Sequence, residues 1–190
     1  MDILDNKNIF MLDVYYEKMD KAIHNILTRQ CNETLTYDIL DTEKSVKNKL
    51  TSLKERQRQM KVGEIWQEMI GNYEDFVDLK IGHATGLDIL SETRKLAIEL
   101  KNRTNTDNAS SRKANFDKLS VFKKQHPDYT CIYANINAET EKKTLGYKKE
   151  ITHNDVEIEQ HVGREFLTFI FGERTDEIIE FIKNTIDKYT

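Results

Sequence analysis

In the run Leu96-Ala97-Ile98-Glu99-Leu100-Lys101 apolar side chains recur at every second position, which commits the segment to a strand with one buried face. Leu96, Ile98 and Leu100 share that face, and Ala97, Glu99 and Lys101 share the other. Upstream, Leu87-Asp88-Ile89-Leu90 is read the same way, with Leu87 and Ile89 on one side and Asp88 on the opposite one. The intervening Ser91-Glu92-Thr93-Arg94-Lys95 is polar and of hairpin length. A turn near Thr93 and Arg94 brings Asp88 opposite, or nearly opposite, Glu99. Directly opposed residues of antiparallel strands have Cβ atoms about 4.5–5.5 Å apart.

Two carboxylates at that spacing repel and raise each other's pKa. A hard divalent cation relieves the repulsion, and magnesium takes one or two carboxylates together with waters and phosphate oxygens. Such a cation polarises a phosphate and acidifies a bound water. Lys101, on the face of Glu99, is placed to orient that water or to neutralise charge developing on the phosphorus. Charged residues make up 33% of the chain, so the letters alone also fit a surface hairpin with an ordinary ion pair. The apolar alternation and the polar loop favour the metal site.

The stretch Gly86-Leu87-Asp88 … Glu99-Leu100-Lys101, preceded by a helix carrying Glu64, resembles the core of type II restriction endonucleases of the PD-(D/E)xK nuclease superfamily. The likeness is clearest from about Val62 to Asn137. Lys80–Ile89 and Asn105–Lys113 are similar to segments of bacterial enzymes that cut short palindromes. The first acid follows Leu87 rather than the proline that names the motif. The resemblance implies Asp88 and Glu99 as metal ligands, Lys101 as the catalytic lysine, and Glu64 as a further catalytic residue joining the site through a water. It also implies Mg2+, double-stranded DNA cut to 5′-phosphate and 3′-hydroxyl ends, and a functionally paired DNA methyltransferase without stable binding.

Net charge is −4, which at first sight suits DNA poorly. Its distribution suits DNA better. Between Arg94 and Lys124 nine basic residues face three acids, and between Val46 and Lys61 six face one. The acidic excess lies in Met1–Glu43 and Asp155–Thr190, each with nine acids and four bases. Local positive charge neutralises phosphates whatever the overall sign. Within the basic segment, the loop after Lys101 offers Arg103, Asn105, Asn108, Ser111, Arg112 and Lys113 as DNA-binding candidates. Arg and Asn read guanine and adenine edges, and Ser hydroxyls and helix N-terminal amides hold phosphates. The plainer alternative is a polar loop whose Asn and Ser residues make turns and caps.

Cys31 and Cys131 are isolated and five histidines are scattered, which argues against zinc and suits a reduced cytoplasmic setting. No apolar run is long enough for a membrane span. Helices are expected over Asp5–Arg29, Ser45–Met60 and Val62–Ile70, where Val62, Ile65, Trp66, Met69 and Ile70 form one apolar face. Glu64 lies on the opposite side, a position equally suited to solvent. Phe76–Leu79 is a strand candidate, and Ser110–Gln125 is a helix stopped by His126-Pro127-Asp128. Tyr129–Ile136 is an uncharged buried strand, parallel to the Glu99 strand through a helical crossover. Glu139–Glu150 reads as a polar loop or hairpin, and Val162–Phe171 and Asp176–Tyr189 as two closing helices.

The expectation is a single α/β domain over residues 1–190 with a restriction-endonuclease-like core, a small mixed central sheet flanked by helices. A helical N-terminal part (about 1–72) precedes a catalytic core (about 73–137), and helices close the chain (about 155–190). The expected activity is Mg2+-dependent, sequence-specific type II DNA cleavage by a homodimer. The alternatives are a structure-selective or repair nuclease of resolvase type on the same fold, a non-catalytic DNA-binding module and a helical interaction protein.

Overall fold

The computed structural model describes residues 3–80, 82–103, 108–137 and 145–190, without the side chains of residues 3–10 and 103. Two long helices, α1 (Ile3–Thr28) and α2 (Glu43–Gly71), precede the sheet. The strands are β1 (Val77–Asp78), β2 (Ile89–Ser91), β3 (Leu96–Arg103), β4 (Thr130–Asn137), β5 (Tyr147–His153) and β6 (Val156–Val162). Helix α3 (Ala109–Gln125) links β3 to β4, and α4 (Gly163–Phe171) and α5 (Thr175–Tyr189) end the chain. The strand order is β1-β2-β3-β4-β6-β5, with β3, β4 and β6 mutually parallel and the flanking pairs antiparallel. This is the expected mixed α/β sheet with helices on its faces.

One face of the sheet, carrying Leu96, Ile98, Leu100, Ile132 and Ala134, packs on α1, α2, α4 and α5 through Met19, Ile65, Met69, Phe166 and Ile178. The other face carries Ala97, Cys131, Tyr133 and Ile158 and is covered by Phe116, Leu119 and Phe122 of α3. Glu99 of β3 is thereby turned towards α3.

Helix α2 runs unbroken through the two helical stretches expected from sequence. Gly63 lies within it where a Cβ would come to 3.5 Å from the Asn102 Cβ of β3, so a small residue suits the close helix–sheet approach. Its start is a capping box: the Ser45 amide donates to Thr42 Oγ1 at 3.2 Å and the Thr42 amide to Ser45 Oγ at 2.8 Å. Thr42→Ala should cost about 1 kcal/mol in urea unfolding, with the urea dependence unchanged. Strands β5 and β6 form a hairpin that meets the region expected as a polar loop or hairpin, Glu139–Glu150, only at Tyr147–Glu150; residues 138–144 lie outside the described residues.

Candidate active site

The β2–β3 register pairs Ile89 with Ile98 and Ser91 with Leu96, which centres the turn between Thr93 and Arg94 as expected. The turn is anchored from outside the hairpin. Arg94 Nε donates to Asp75 at 2.9 Å, the guanidinium also meets Glu74, and its carbon lies 4.9 Å from the Phe76 ring centroid.

Regular alternation fails at Asp88. Its amide donates to the Ile98 carbonyl at 3.1 Å, so Asp88 and Ile89 both stand against Ile98 in the manner of a β-bulge. Leu87 consequently packs with Ala97 and α3, whereas Ile89 packs with Ile98 on the α2 side. This corrects the expectation that Leu87 and Ile89 share a face. The bulge also re-aims Asp88. Its Oδ2 accepts the Leu100 amide at 2.7 Å, occupying a place that a strand carbonyl would otherwise fill.

Glu99 is 1% exposed, an extreme position for a carboxylate, and its compensation is correspondingly full. Lys101 Nζ donates to Oε1 at 2.6 Å, and Lys118 Nζ from α3 donates to Oε1 and Oε2 at 3.1 Å each. Asp88 has less support. Burial, and then the negative charge of Glu99, push its pKa up to about 6, against the lowering effect of the Leu100 amide and the two lysines. The two acids therefore feel each other across the hairpin, as the sequence spacing anticipated.

Asp88, Lys101, Leu100 and Asn102 line a cleft of about 530 Å³ whose far wall is α2, through Gly63, Glu64, Gln67 and Glu68. Asp78 and Lys80 close one end, with Lys80 Nζ 2.6 Å from both Asp78 Oδ2 and Glu68 Oε1. Arg29 holds Glu64 through two hydrogen bonds, that from Nη1 to Oε1 being 2.9 Å long. Among the described residues no group of three or more His, Cys, Asp or Glu side chains is placed to hold a metal ion. The Asp88–Glu99 pair still suits a hard divalent cation. It offers carboxylate oxygens only, and one of its acids is disfavoured in its charged form by burial and by the other.

The profile of the Eco47II restriction endonuclease family matches residues 6–189. The chain belongs to that family. It is thus a restriction endonuclease, a nuclease whose substrate is DNA, and restriction endonucleases usually act with a divalent metal ion. A comparison with curated proteins finds no match. The family match spans the long helices and the sheet alike, beyond the Val62–Asn137 stretch that carried the sequence resemblance. Among the described residues no helix is long and apolar enough to cross a membrane.

The remaining candidates divide into four groups. Glu64 shares the cleft with Asp88 and Lys101. Asn108 is the N-cap of α3, accepting the Ser111 amide at 2.8 Å, so it has the capping role that was the plainer alternative. Ser111, Arg112 and Lys113 are exposed on the first turn of that helix, Lys113 lying 3.2 Å from Asp117. Arg103 ends β3 opposite Asn137, and its side chain, like Asn105, lies outside the described residues. Lys118 was missed by sequence reasoning. It sits among several basic residues of α3, and only the packing of that helix reveals its partner.

Proposed function

We propose that this chain is a sequence-specific type II restriction endonuclease that hydrolyses phosphodiesters within a short palindromic site, using Mg2+ and leaving 5′-phosphate ends. The observation that carries the reading is that Asp88 and Lys101 line one cleft while Glu99, beside them on the same hairpin, is buried against two lysines. In this reading Asp88 and Glu99 hold the cation, which supplies Lewis-acid polarisation of the phosphate and a more acidic bound water. Lys101, 27% exposed in its side chain, is free to turn from Glu99 towards the reacting phosphate and to donate a proton or hydrogen bond there. The Leu100 amide orients Asp88, and the Arg29 guanidinium orients Glu64 towards the cleft.

The DNA runs across this cleft, with Ser111, Arg112 and Lys113 at the α3 N-terminus meeting its backbone and Arg103 and Asn105 as further contacts. Two copies related by a twofold axis match a palindrome and deliver one cut per strand. A methyltransferase of the same specificity protects host DNA without stable binding. Glu64→Gln is expected to slow cleavage about tenfold, as loss of an outer partner of a metal site does; single-turnover rates at saturating Mg2+ measure it.

A digest of unmethylated phage DNA tests the assignment, with Mg2+ omitted in one lane and Glu99→Gln in another. Discrete bands lost in both controls support it. Smearing lost in both replaces it with a nonspecific or structure-selective nuclease. Intact DNA with Mg2+ or Mn2+, on templates of varied base composition, replaces it with a DNA-binding module.

A further inference from the structure

Lys118 of α3 has no place in the motif, yet it meets the buried Glu99 from the side opposite the cleft, and its geometry is specific. Its ammonium has three neighbours within hydrogen-bond distance: Glu99 Oε1 and Oε2 at 3.1 Å each and the Gly86 carbonyl at 3.0 Å. An ammonium has three N–H donors, so this set uses all of them. One partner lies on β3 and the other in the turn that leads into Asp88. The lysine thus ties together the two chain segments that carry the acids, from a third element. The approach also depends on Gly86. A Cβ there would stand 3.1 Å from the Lys118 Cδ, and Gly86 has φ of +65°, a conformation that L side chains rarely adopt.

Lys101 and Lys118 share Glu99 unequally. Lys101 makes a single contact to Oε1 and belongs to the wall of the cleft, whereas Lys118 grips both oxygens and a backbone carbonyl. A buried carboxylate with only one cationic partner would hold that partner fast. With Lys118 in place, Lys101 can leave Glu99 without stranding a buried charge.

We infer that Lys118 is a positioning residue: it fixes the Glu99 carboxylate and the Gly86–Asp88 turn in one frame, and by doing so frees Lys101 to serve the reaction. This inference rests on the nuclease reading above. Lys118 touches neither DNA nor the reacting atoms in this scheme.

The test compares wild type, Lys118→Arg and Lys118→Met, with melting temperatures measured to confirm folding. Lys118→Arg keeps the charge but cannot place one compact donor centre among three acceptors. Its affinity for Mn2+, measured by calorimetry on the protein without DNA, is expected to fall about tenfold. Its kcat should fall about tenfold with KM for DNA unchanged, and Lys118→Met should lose more kcat than Lys118→Arg. Wild-type Mn2+ affinity and kcat in Lys118→Arg would overturn the inference. So would weaker DNA binding in Ca2+ with a shallower salt dependence in Lys118→Met, which would make Lys118 a phosphate contact. Absence of metal-dependent cleavage by wild type itself would instead overturn the nuclease reading, and the Mn2+ titration would still report on Lys118.

Discussion

Asp88→Asn and Glu99→Gln should each slow DNA cleavage on the order of 10^3-fold, the scale of losing a principal electrostatic contribution to a transition state. Both substitutions preserve shape and remove the negative charge that a divalent cation needs. DNA binding measured in Ca2+ is expected to change far less, because the residues proposed to neutralise phosphates are elsewhere. Glutamine is the informative replacement at position 99. Alanine there would leave Lys101 and Lys118 beside a cavity where a 1%-exposed carboxylate had been, and lost activity could then reflect a damaged fold. Single-turnover cleavage with melting temperatures measured in parallel separates the two. Wild-type rates in either variant would remove the hairpin acids from the chemistry.

The same Asp88→Asn substitution should stabilise the metal-free protein at neutral pH. Folding raises the Asp88 pKa from 3.8 to about 6. Below about pH 4 the group is neutral in both folded and unfolded chains and carries no penalty. As pH rises through that interval the unfolded chain releases its proton first, and above about pH 6 the folded chain bears the full cost of a charged Asp88. The cost amounts to at most about 3 kcal/mol. Denaturant unfolding in chelator at pH 7.5 should show Asp88→Asn the more stable protein, and the gap should close towards pH 4. Added divalent cation should stabilise wild type and narrow the difference from the other direction. An Asp88→Asn protein less stable than wild type at pH 7.5 would mean that Asp88 is settled in its charged form without metal.

The parts of this arrangement legible in sequence were those fixed by local periodicity. The turn centre, the strand of Glu99, the β3–α3–β4 crossover and the two closing helices all follow from patterns spanning fewer than about 20 residues. The bulge at Asp88 did not, because an extra residue changes register without changing the apolar letters. Lys118 did not, because its partners lie on other elements and nothing adjacent in the chain marks it. The β5–β6 hairpin was obscured for another reason. Buried polar residues, Gln160 and His161, occupy β6, and most of β5 is exposed or half-buried, so apolar alternation is weak in both strands. For the candidate site the motif letters picked out Asp88, Glu99 and Lys101, which the fold brings together on one hairpin. The loop residues were chosen by chemistry, and Asn108 proved to be a cap.

Strands β3 and β4 run parallel and finish side by side, Arg103 opposite Asn137, with the Asn137 amide donating to Asn102 Oδ1 at 2.8 Å. Both connections that follow therefore set out from one margin of the sheet, the margin bordered by the Asn102 end of the cleft. The acids are closed off upstream, inside a hairpin whose register is set by its own turn and the Arg94 anchor. In the reading proposed above, those two connections can change in length or sequence without disturbing the register that holds the hairpin of Asp88 and Glu99.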